Sequence, residues 1–188
     1  MNEWLRIFPE LDMIESSDLR KKCIETYIDA LSYGGWTPED LNKIPMGLRI
    51  KNNPPSLRTH IRAVTRIAEN AWQSFNELHE ASYVPNHDEL IAGALLHDVG
   101  KIIEYARISD GTYGFSSRGL LLRHPLTGAM LAMKHGLPDA IVHIIATHAR
   151  EGDGYPRTPE ALMVKAADEL HFYGVLALEK KTDNSGSL

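Results

Sequence analysis

Apolar side chains recur at the three- and four-residue intervals of α-helices through most of the chain. The stretch 17–33 shows this pattern and is followed by a pair of glycines, which commonly end helices. A longer amphipathic pattern runs from Leu57 to Phe75, directly after a pair of prolines that favour a helix start. Between the two, "TPEDLNK" indicates a single further turn. The first half of the chain is therefore predicted to be helical.

Four further helices are predicted in the second half. Asn86, with Glu89 three positions later, forms a capping-box-like start for the helix through "ELIAGALLHD". The other three patterns span about 125–134, 138–149 and 159–179. Prolines stand at their starts, and Gly136 follows the end of the first one.

One segment departs from helical spacing. "YARISDGTYGF" has β-branched and aromatic residues on both sides of Asp110 and Gly111, which is typical of a hairpin with a primed turn. The predicted fold class is therefore all-α, a helical bundle with a small β-hairpin insertion. With 188 residues, 43% of them hydrophobic, the chain suffices for one domain with a buried core. We predict an N-terminal helical extension at 1–50 packed on the core, a core domain at 51–180 and a flexible tail at 181–188.

Composition and charge exclude several classes of protein. Cys23 is the single cysteine, so an internal disulfide is impossible and a reducing compartment is indicated. The run "MNEWLRIFPELD" lacks the apolar stretch of a signal peptide, and no run approaches the roughly 20 apolar residues of a membrane span. A net charge of −5 argues against an extended nucleic-acid surface but permits small anionic substrates. We expect a soluble, cytoplasmic protein.

Six polar side chains lie on or beside predicted buried helix faces, where an uncompensated charge is costly. "LLHDVGK" places His97 and Asp98 together at the end of an apolar helix, where both side chains can reach one metal ion. Asp168 follows Val164 by one turn in an alanine-rich face and needs a cation nearby. The complete set is His60, His97, Asp98, His124, His148 and Asp168. Nitrogen and oxygen donors without sulfur favour Mn, Fe, Co, Ni or Zn over a dedicated calcium site.

The remaining histidines are predicted to be structural. His87 and Asp88 form a second His–Asp pair, but they lie at a polar helix start, where capping explains them better. His171 lies one turn after Asp168 and is a candidate hydrogen-bond partner of a ligand. The other three are His79, His135 and His143.

The order of the candidate ligands resembles that of HD-domain metal-dependent phosphohydrolases over about residues 56–175. The family's histidine, His–Asp pair and distal aspartate are matched by His60, His97, Asp98 and Asp168. His124 and His148 are similar to the histidines that mark the subgroups with two metals. The resemblance implies an HD-domain helical bundle with a dinuclear metal site.

The cofactors implied by the resemblance are two divalent transition-metal ions, Mn or Fe first, with Co, Ni or Zn as alternatives. The implied ligands of the first ion are His60, His97, Asp98 and Asp168. Asp98 would bridge to a second ion held by His124 and His148. Two such ions acidify a shared water, which gives a hydroxide nucleophile near neutral pH. The implied activity is that of a phosphodiesterase or phosphomonoesterase acting on a nucleotide or related small phosphoester.

Several basic residues lie beside the candidate ligands. Lys101 follows Asp98 by three residues, as the lysine does in related phosphohydrolases, where it lies near the substrate phosphate. Phosphate contact or proton donation to the leaving oxygen is its implied role, and Asp98 and Lys101 are the predicted catalytic residues. Arg123 and Arg150 are predicted to bind substrate with Lys101, although each is equally consistent with an ordinary surface arginine. Gly100 is predicted to permit a tight backbone turn.

Other HD proteins share parts of this pattern. "HAREGDGYPRTPEALMVKAAD" resembles HD-GYP cyclic-dinucleotide phosphodiesterases, but Ala149 replaces their second histidine and the segment up to Asp168 is shorter. The layout around Lys101 is similar to HD domains of bacterial exoribonucleases. Mixed-valent diiron oxygenases acting on a small polyol or phosphonate use the same six ligand types and are the alternative function. Lys101 and the GYP-like run favour phosphoesters, and a degenerate regulatory module would have lost ligands that this sequence retains.

Overall fold

The structure, a computed structural model, describes residues 2–108 and 111–185. Within these residues the chain forms helices joined by turns and loops of different lengths, together with one two-stranded hairpin. The elements are α1 (Asn2–Ile7), α2 (Ser17–Gly34), α3 (Leu57–Leu78), α4 (His87–Leu96), α5 (Lys101–Glu104), β1 (Tyr105–Arg107), β2 (Tyr113–Phe115), α6 (His124–Lys134), α7 (Asp139–Thr147) and α8 (Pro159–Ser185). The predicted all-α class with a small β-hairpin is confirmed. None of the described helices combines the length and the apolar character that a membrane span requires.

Capping residues and a glycine fix the helix boundaries that the sequence predicts. The side chain of Ser16 accepts a hydrogen bond from the backbone N–H of Leu19 at the start of α2. Asn86 accepts from the N–H of Glu89 in the same way at the start of α4. Helix α2 ends where Gly35 adopts a φ of 68°, a left-handed value that glycine tolerates. The predicted starts of α2 and α4 and the end of α2 are therefore confirmed.

The hairpin turn is only partly described, and the last helix is longer than the sequence pattern predicts. Strands β1 and β2 pair antiparallel, and Gly111 has the positive φ of 76° that a primed turn requires, while Asp110 lies outside the described residues. Helix α8 continues to Ser185, well into the predicted flexible tail at 181–188. Extending an existing helix costs little, so polar residues continue it. Residues 186–188 lie outside the described part.

The N-terminal segment shares one hydrophobic core with the helices that follow it. Tyr27 of α2 is fully buried; its hydroxyl donates a hydrogen bond to the carbonyl of Leu95, and its ring stacks on Phe8. The indole N–H of Trp36 donates to the carbonyl of Ile102 over 2.8 Å. Since buried donors need partners, these bonds fix the N-terminal segment against α4 and α5.

A second apolar cluster joins α3, α4, α7 and α8. Its members are Val64, Ala68, Leu90, Ala94, Ile144, Ala161, Val164 and Ala167. Every residue of α4 from Leu90 to Leu96 is buried, because the other helices surround it. The C-terminal end of α4 therefore lies in the interior of the bundle.

Gly100 allows two helices to approach closely just after this end. The backbone does turn at residues 97–100, but the φ of Gly100 is −64°, an ordinary helical value, so the turn itself does not require glycine. A Cβ at this position would lie 2.1 Å from the carbonyl oxygen of His124 and 2.7 Å from Oγ1 of Thr127. Glycine is needed here because any side chain would push the start of α5 away from α6.

We expect Gly100→Ala to lower the free energy of unfolding by about 1–3 kcal/mol, the usual cost of adding atoms to a closely packed site. Chemical denaturation measures this change. Gly174→Ala is the control, since an added Cβ in that part of α8 meets no atom within 4 Å. It should be neutral or stabilising by up to about 1 kcal/mol. A Gly100 variant as stable as the wild type would contradict the close approach of α5 and α6.

Candidate metal centre

The six candidate ligands come from five helical segments and meet inside the bundle. Five of them are buried, and Asp168 has a side chain that is 19% exposed. They form two groups of three, and within each group the ligand atoms lie within 4.8 Å of one another. The groups are the His60 triad (His60, His97 and Asp168) and the Asp98 triad (Asp98, His124 and His148). The structure therefore brings together all six residues that the sequence selects.

Helix ends and buried faces direct these side chains inwards. His97 is the C-cap of the buried helix α4, and Asp98 lies in the turn that follows. His148 is likewise the C-cap of α7, and His124 is the first residue of α6. His60 lies on the buried face of α3. Since helix ends carry backbone groups without partners, polar side chains are easily placed there beside apolar helix interiors.

Asp98 lies between the two triads. Its Oδ2 atom is 3.1 Å from Nε2 of His60 and 3.4 Å from Nε2 of His97. Its Oδ1 atom is 3.4 Å from Nε2 of His124 and 3.6 Å from Nε2 of His148. Because each carboxylate oxygen faces a different pair of imidazoles, the position fits a carboxylate that bridges two cations.

Some buried polar atoms of the centre lack a well-formed hydrogen bond to any described residue. They are Oδ1 of Asp98 and Nε2 of His148, while Oδ2 of Asp98 has the Lys101 ammonium as its ion-pair partner. An unsatisfied buried polar group typically costs about 1–3 kcal/mol. Donors that share one ion at about 2.1 Å lie about 3.0–3.4 Å apart, close to the separations of 3.1–3.6 Å around Asp98. The donor set therefore fits divalent transition-metal ions.

Each candidate histidine faces the centre with Nε2 and is held from behind through Nδ1. Nδ1 of His60 lies 2.9 Å from Nδ1 of His171, and Nδ1 of His124 lies 2.8 Å from Oε2 of Glu104. The other two rings face backbone carbonyls: Nδ1 of His97 lies 2.7 Å from the oxygen of Ala94, and Nδ1 of His148 lies 2.8 Å from the oxygen of Ile145. A ring that donates its Nδ1–H to such an acceptor keeps the Nε2 lone pair free for a metal ion. The predicted structural role of His171 therefore takes a specific form, contact with the ligand His60.

Local charges keep the acidic ligands ionised. Burial alone would raise the pKa of Asp98, but the Lys101 ammonium and the surrounding histidines together outweigh burial and hold that pKa well below its usual range. Burial also opposes ionisation of Asp168, and its contact with the His60 ring nevertheless lowers its pKa. Burial, with a further contribution from His60, lowers the pKa of His171 to about 4. His171 is therefore neutral, and its Nδ1 atom can accept a hydrogen bond from the Nδ1–H of His60.

Lys101 is buried against the centre and paired with it. Its Nζ atom lies 2.6 Å from Oδ2 of Asp98 and donates to the carbonyl of Met46 over 2.7 Å. Burial would lower the pKa of Lys101, but the Asp98 carboxylate raises it above its usual value. The ammonium is therefore charged. It also lines the open cleft above the centre.

The centre opens into a cleft of about 580 Å³. Its floor includes Lys101, His124, His148 and Asp168, and its walls include Arg49, Arg123, Arg150, Phe115, Phe172 and Tyr173. The structure thus places both arginines that the sequence selects, Arg123 and Arg150, at this cleft. Arg123 is held by Glu104, at 3.0 Å, and by Glu151, at 3.2 Å, and it lies over the ring of Phe115.

Sequence reasoning missed two residues of the site. Glu104 is buried behind His124, and its signal was an acid three positions after Lys101 in an otherwise apolar turn. Arg49 lines the cleft with its guanidinium 5.7 Å from the ring centre of Phe172. It had no local signal, because only the tertiary fold brings residue 49 to this cleft.

The second His–Asp pair has a different role. The carboxylate of Asp88 accepts the backbone N–H groups of Glu15 and Ser16, over 2.7 and 2.9 Å, at the start of α2. Nε2 of His87 lies 2.6 Å from the carboxylate of Glu69. Capping was the predicted role of this pair, but Asp88 caps the neighbouring helix α2 rather than its own helix. The other predicted structural histidines lie at separate places: His79 stacks on Phe75, His135 contacts Asp29 and His143 faces the N–H of Thr158.

Comparison with known proteins gives one family and several relatives. The HD domain family matches residues 57–173, a range that contains all six candidate ligands. The dihydroneopterin 2',3'-cyclic phosphate phosphodiesterase of Methanocaldococcus jannaschii is 30% identical over 177 residues, which cover 87% of this chain and 67% of that protein.

Ribonuclease Y proteins match a shorter part of the chain. That of Thermotoga petrophila is 35% identical over 85 residues, which cover 45% of this chain and 14% of the enzyme. That of Acidothermus cellulolyticus is 37% identical over 78 residues, which cover 42% of this chain and 13% of that enzyme. No solved structure gives a significant match.

The two His–Asp pairs allow a matched test of the centre. We expect Asp98→Ala to lose bound metal from both triads, because Asp98 faces both, whereas Asp88→Ala retains the wild-type metal content. Asp88→Ala should instead lower the free energy of unfolding by about 0.5–2 kcal/mol, the usual cost of losing a helix cap. Elemental analysis after Mn²⁺ loading and desalting measures metal content, and thermal denaturation measures stability. Retention of full metal content by the Asp98 variant would contradict the assignment.

Proposed function

This chain belongs to the HD-domain family of metal-dependent phosphohydrolases, and we propose that it hydrolyses a nucleotide or a related small phosphoester at a centre of two divalent metal ions. The family resemblance inferred from the sequence is thereby confirmed. The proposal also includes the substrate class, the number of ions and the identity of the metal, for which Mn or Fe is preferred over Co, Ni or Zn. The cytoplasmic location expected from composition stays a prediction.

The single observation that carries the proposal is the pair of triads that meet at Asp98 on the floor of an open cleft. In the proposed arrangement the first ion is held by His60, His97, Asp98 and Asp168. The second is held by Asp98, His124 and His148. When bound, two such ions acidify a water towards neutral pH and neutralise charge on a phosphoryl group.

The chain's own cations complete phosphate recognition. An ammonium has three N–H donors, and two of those of Lys101 reach Asp98 and Met46. The third is available to a phosphoryl or leaving-group oxygen, since Lys101 also lines the cleft. Arg150 lies at the same cleft, where a guanidinium suits a second phosphate oxygen. Lys101 is thus proposed to contact the reacting group, and Arg150 to bind the substrate.

Cleft size and lining support a nucleotide-sized substrate. A volume of about 580 Å³ lies within the roughly 300–1,000 Å³ of small-molecule sites. The aromatic rings of Phe115, Phe172 and Tyr173 give its walls flat surfaces on which a heterocycle can stack. The relatives are named for cleavage of a pterin cyclic phosphate and of RNA, both phosphodiesters. These names support hydrolysis and do not favour the diiron oxygenase alternative.

The proposal is tested by removing the metal and restoring it. Protein stripped with a chelator and reloaded with Mn²⁺ is expected to cleave a 2',3'-cyclic nucleotide or bis(p-nitrophenyl) phosphate without oxygen, because hydrolysis needs a Lewis acid but no redox change. The stripped protein and Asp98→Ala, treated identically, should be inactive. Absence of phosphoester cleavage with Mn, Fe, Co, Ni and Zn, together with oxygen consumption by the iron form, would contradict the proposal.

Lys101 and Arg150 should affect different kinetic constants. Lys101→Met, which keeps the length of the side chain and removes its charge, should lower kcat by about 10²–10⁴-fold at unchanged metal content. Arg150→Ala should mainly raise KM, by about 10-fold or more, since a charged hydrogen bond contributes about 1.5–3 kcal/mol. Steady-state kinetics on the Mn²⁺ enzyme separates the two effects. Unchanged constants in both variants would refute these roles.

A further inference from the structure

One of the four candidate histidines is held differently from the others. Neutral acceptors, namely the His171 ring and two backbone carbonyls, hold His60, His97 and His148. His124 is held by a carboxylate, Glu104, which is 1% exposed. Oε2 of Glu104 accepts both the ring Nδ1–H of His124, over 2.8 Å, and its backbone N–H, over 2.5 Å. Ring and backbone of this one ligand are therefore fixed by the same oxygen.

We propose that Glu104 is a positioning residue that controls occupancy of the second metal position, an inference that rests on the two-ion centre of the proposed function. Its two hydrogen bonds fix the tautomer of His124 and the direction of the Nε2 lone pair. Its negative charge makes the imidazole more basic and therefore a stronger metal ligand. Neither effect reaches the His60 triad directly, because Glu104 contacts no member of that triad.

The second position depends on such support for two reasons. It has three protein donors, while the first has four, so each donor contributes a larger share of its affinity. His124 is also the first residue of α6, and the positive end of a helix dipole disfavours a cation nearby. Glu104 accepts the first N–H of α6 and places a negative charge at that end. It therefore offsets the dipole at the point where the second cation would bind.

The contacts of Arg123 provide a control that distinguishes the hydrogen bonds of Glu104 to His124 from a general effect of negative charge. It pairs with Oε1 of Glu104 through Nη1 and with Oε1 of Glu151 through Nε. Glu151 is thus a second carboxylate on the same arginine, and it does not accept a hydrogen bond from His124, as Glu104 does. Glu104→Gln and Glu151→Gln each remove one negative charge beside Arg123. Only the former changes the acceptor of His124.

The experiment is a Mn²⁺ titration of metal-stripped protein, with free Mn²⁺ followed by EPR. Glu104→Gln should bind the first ion with wild-type affinity and the second about 10–100-fold more weakly, the range found when a ligand loses its hydrogen-bonded carboxylate. Glu151→Gln should bind both ions as the wild type does. His124→Ala should bind one ion and marks complete loss of the second position.

Different failures have different meanings. Suppose that the wild type binds two ions. If Glu104→Gln then binds the second ion with unchanged affinity, or if Glu151→Gln weakens that ion as much as Glu104→Gln does, the role of Glu104 alone is overturned. A wild-type protein that binds a single ion would overturn the two-ion centre as well. If Glu104→Gln does not fold, ¹⁵N NMR of the metal-free wild type decides. It should show the His124 proton on Nδ1, and a proton on Nε2 would overturn the proposal.

Discussion

An ionised carboxylate in the protein interior is the constraint on which this structure depends. Asp98 is 1% exposed, and Lys101 supplies one compensating charge at 2.6 Å. The lysine contacts Oδ2 of Asp98, and Oδ1 faces the Nε2 atoms of His124 and His148. Since the Nδ1 protons of these rings are directed to other acceptors, the facing atoms are lone pairs, which repel a carboxylate unless a cation lies between them. The bundle is therefore arranged around positive charge that its amino acids only partly supply.

The N-terminal segment takes part in this arrangement. Met46 provides the carbonyl that orients Lys101, Trp36 binds the carbonyl of Ile102 just beyond it, and Arg49 forms part of the cleft wall. The match to the HD family begins at residue 57, so these contacts come from outside the matched region. The segment therefore shapes both the electrostatics of Asp98 and the entrance to the centre.

The parts of the site that were predictable have local sequence signals. His97 and Asp98 follow an apolar helix directly, and His148 continues an apolar stripe, so their inward direction follows from helical periodicity. The positions of Glu104 and Arg49 and the close packing at Gly100 depend on contacts between distant elements, which periodicity does not encode. In the fold, caps and glycines fixed most boundaries. The extent of α8 was missed because helix propagation continued through residues whose composition favours a tail.

The central claim is that Asp98 joins two metal ions. Anomalous diffraction from crystals of the Mn²⁺-loaded protein, collected at the manganese absorption edge, tests it most directly. The account predicts two peaks about 3.5–4 Å apart, one beside each oxygen of Asp98, with His60 and His97 near one peak and His124 and His148 near the other. A single peak, or peaks that lie away from Asp98, would contradict it.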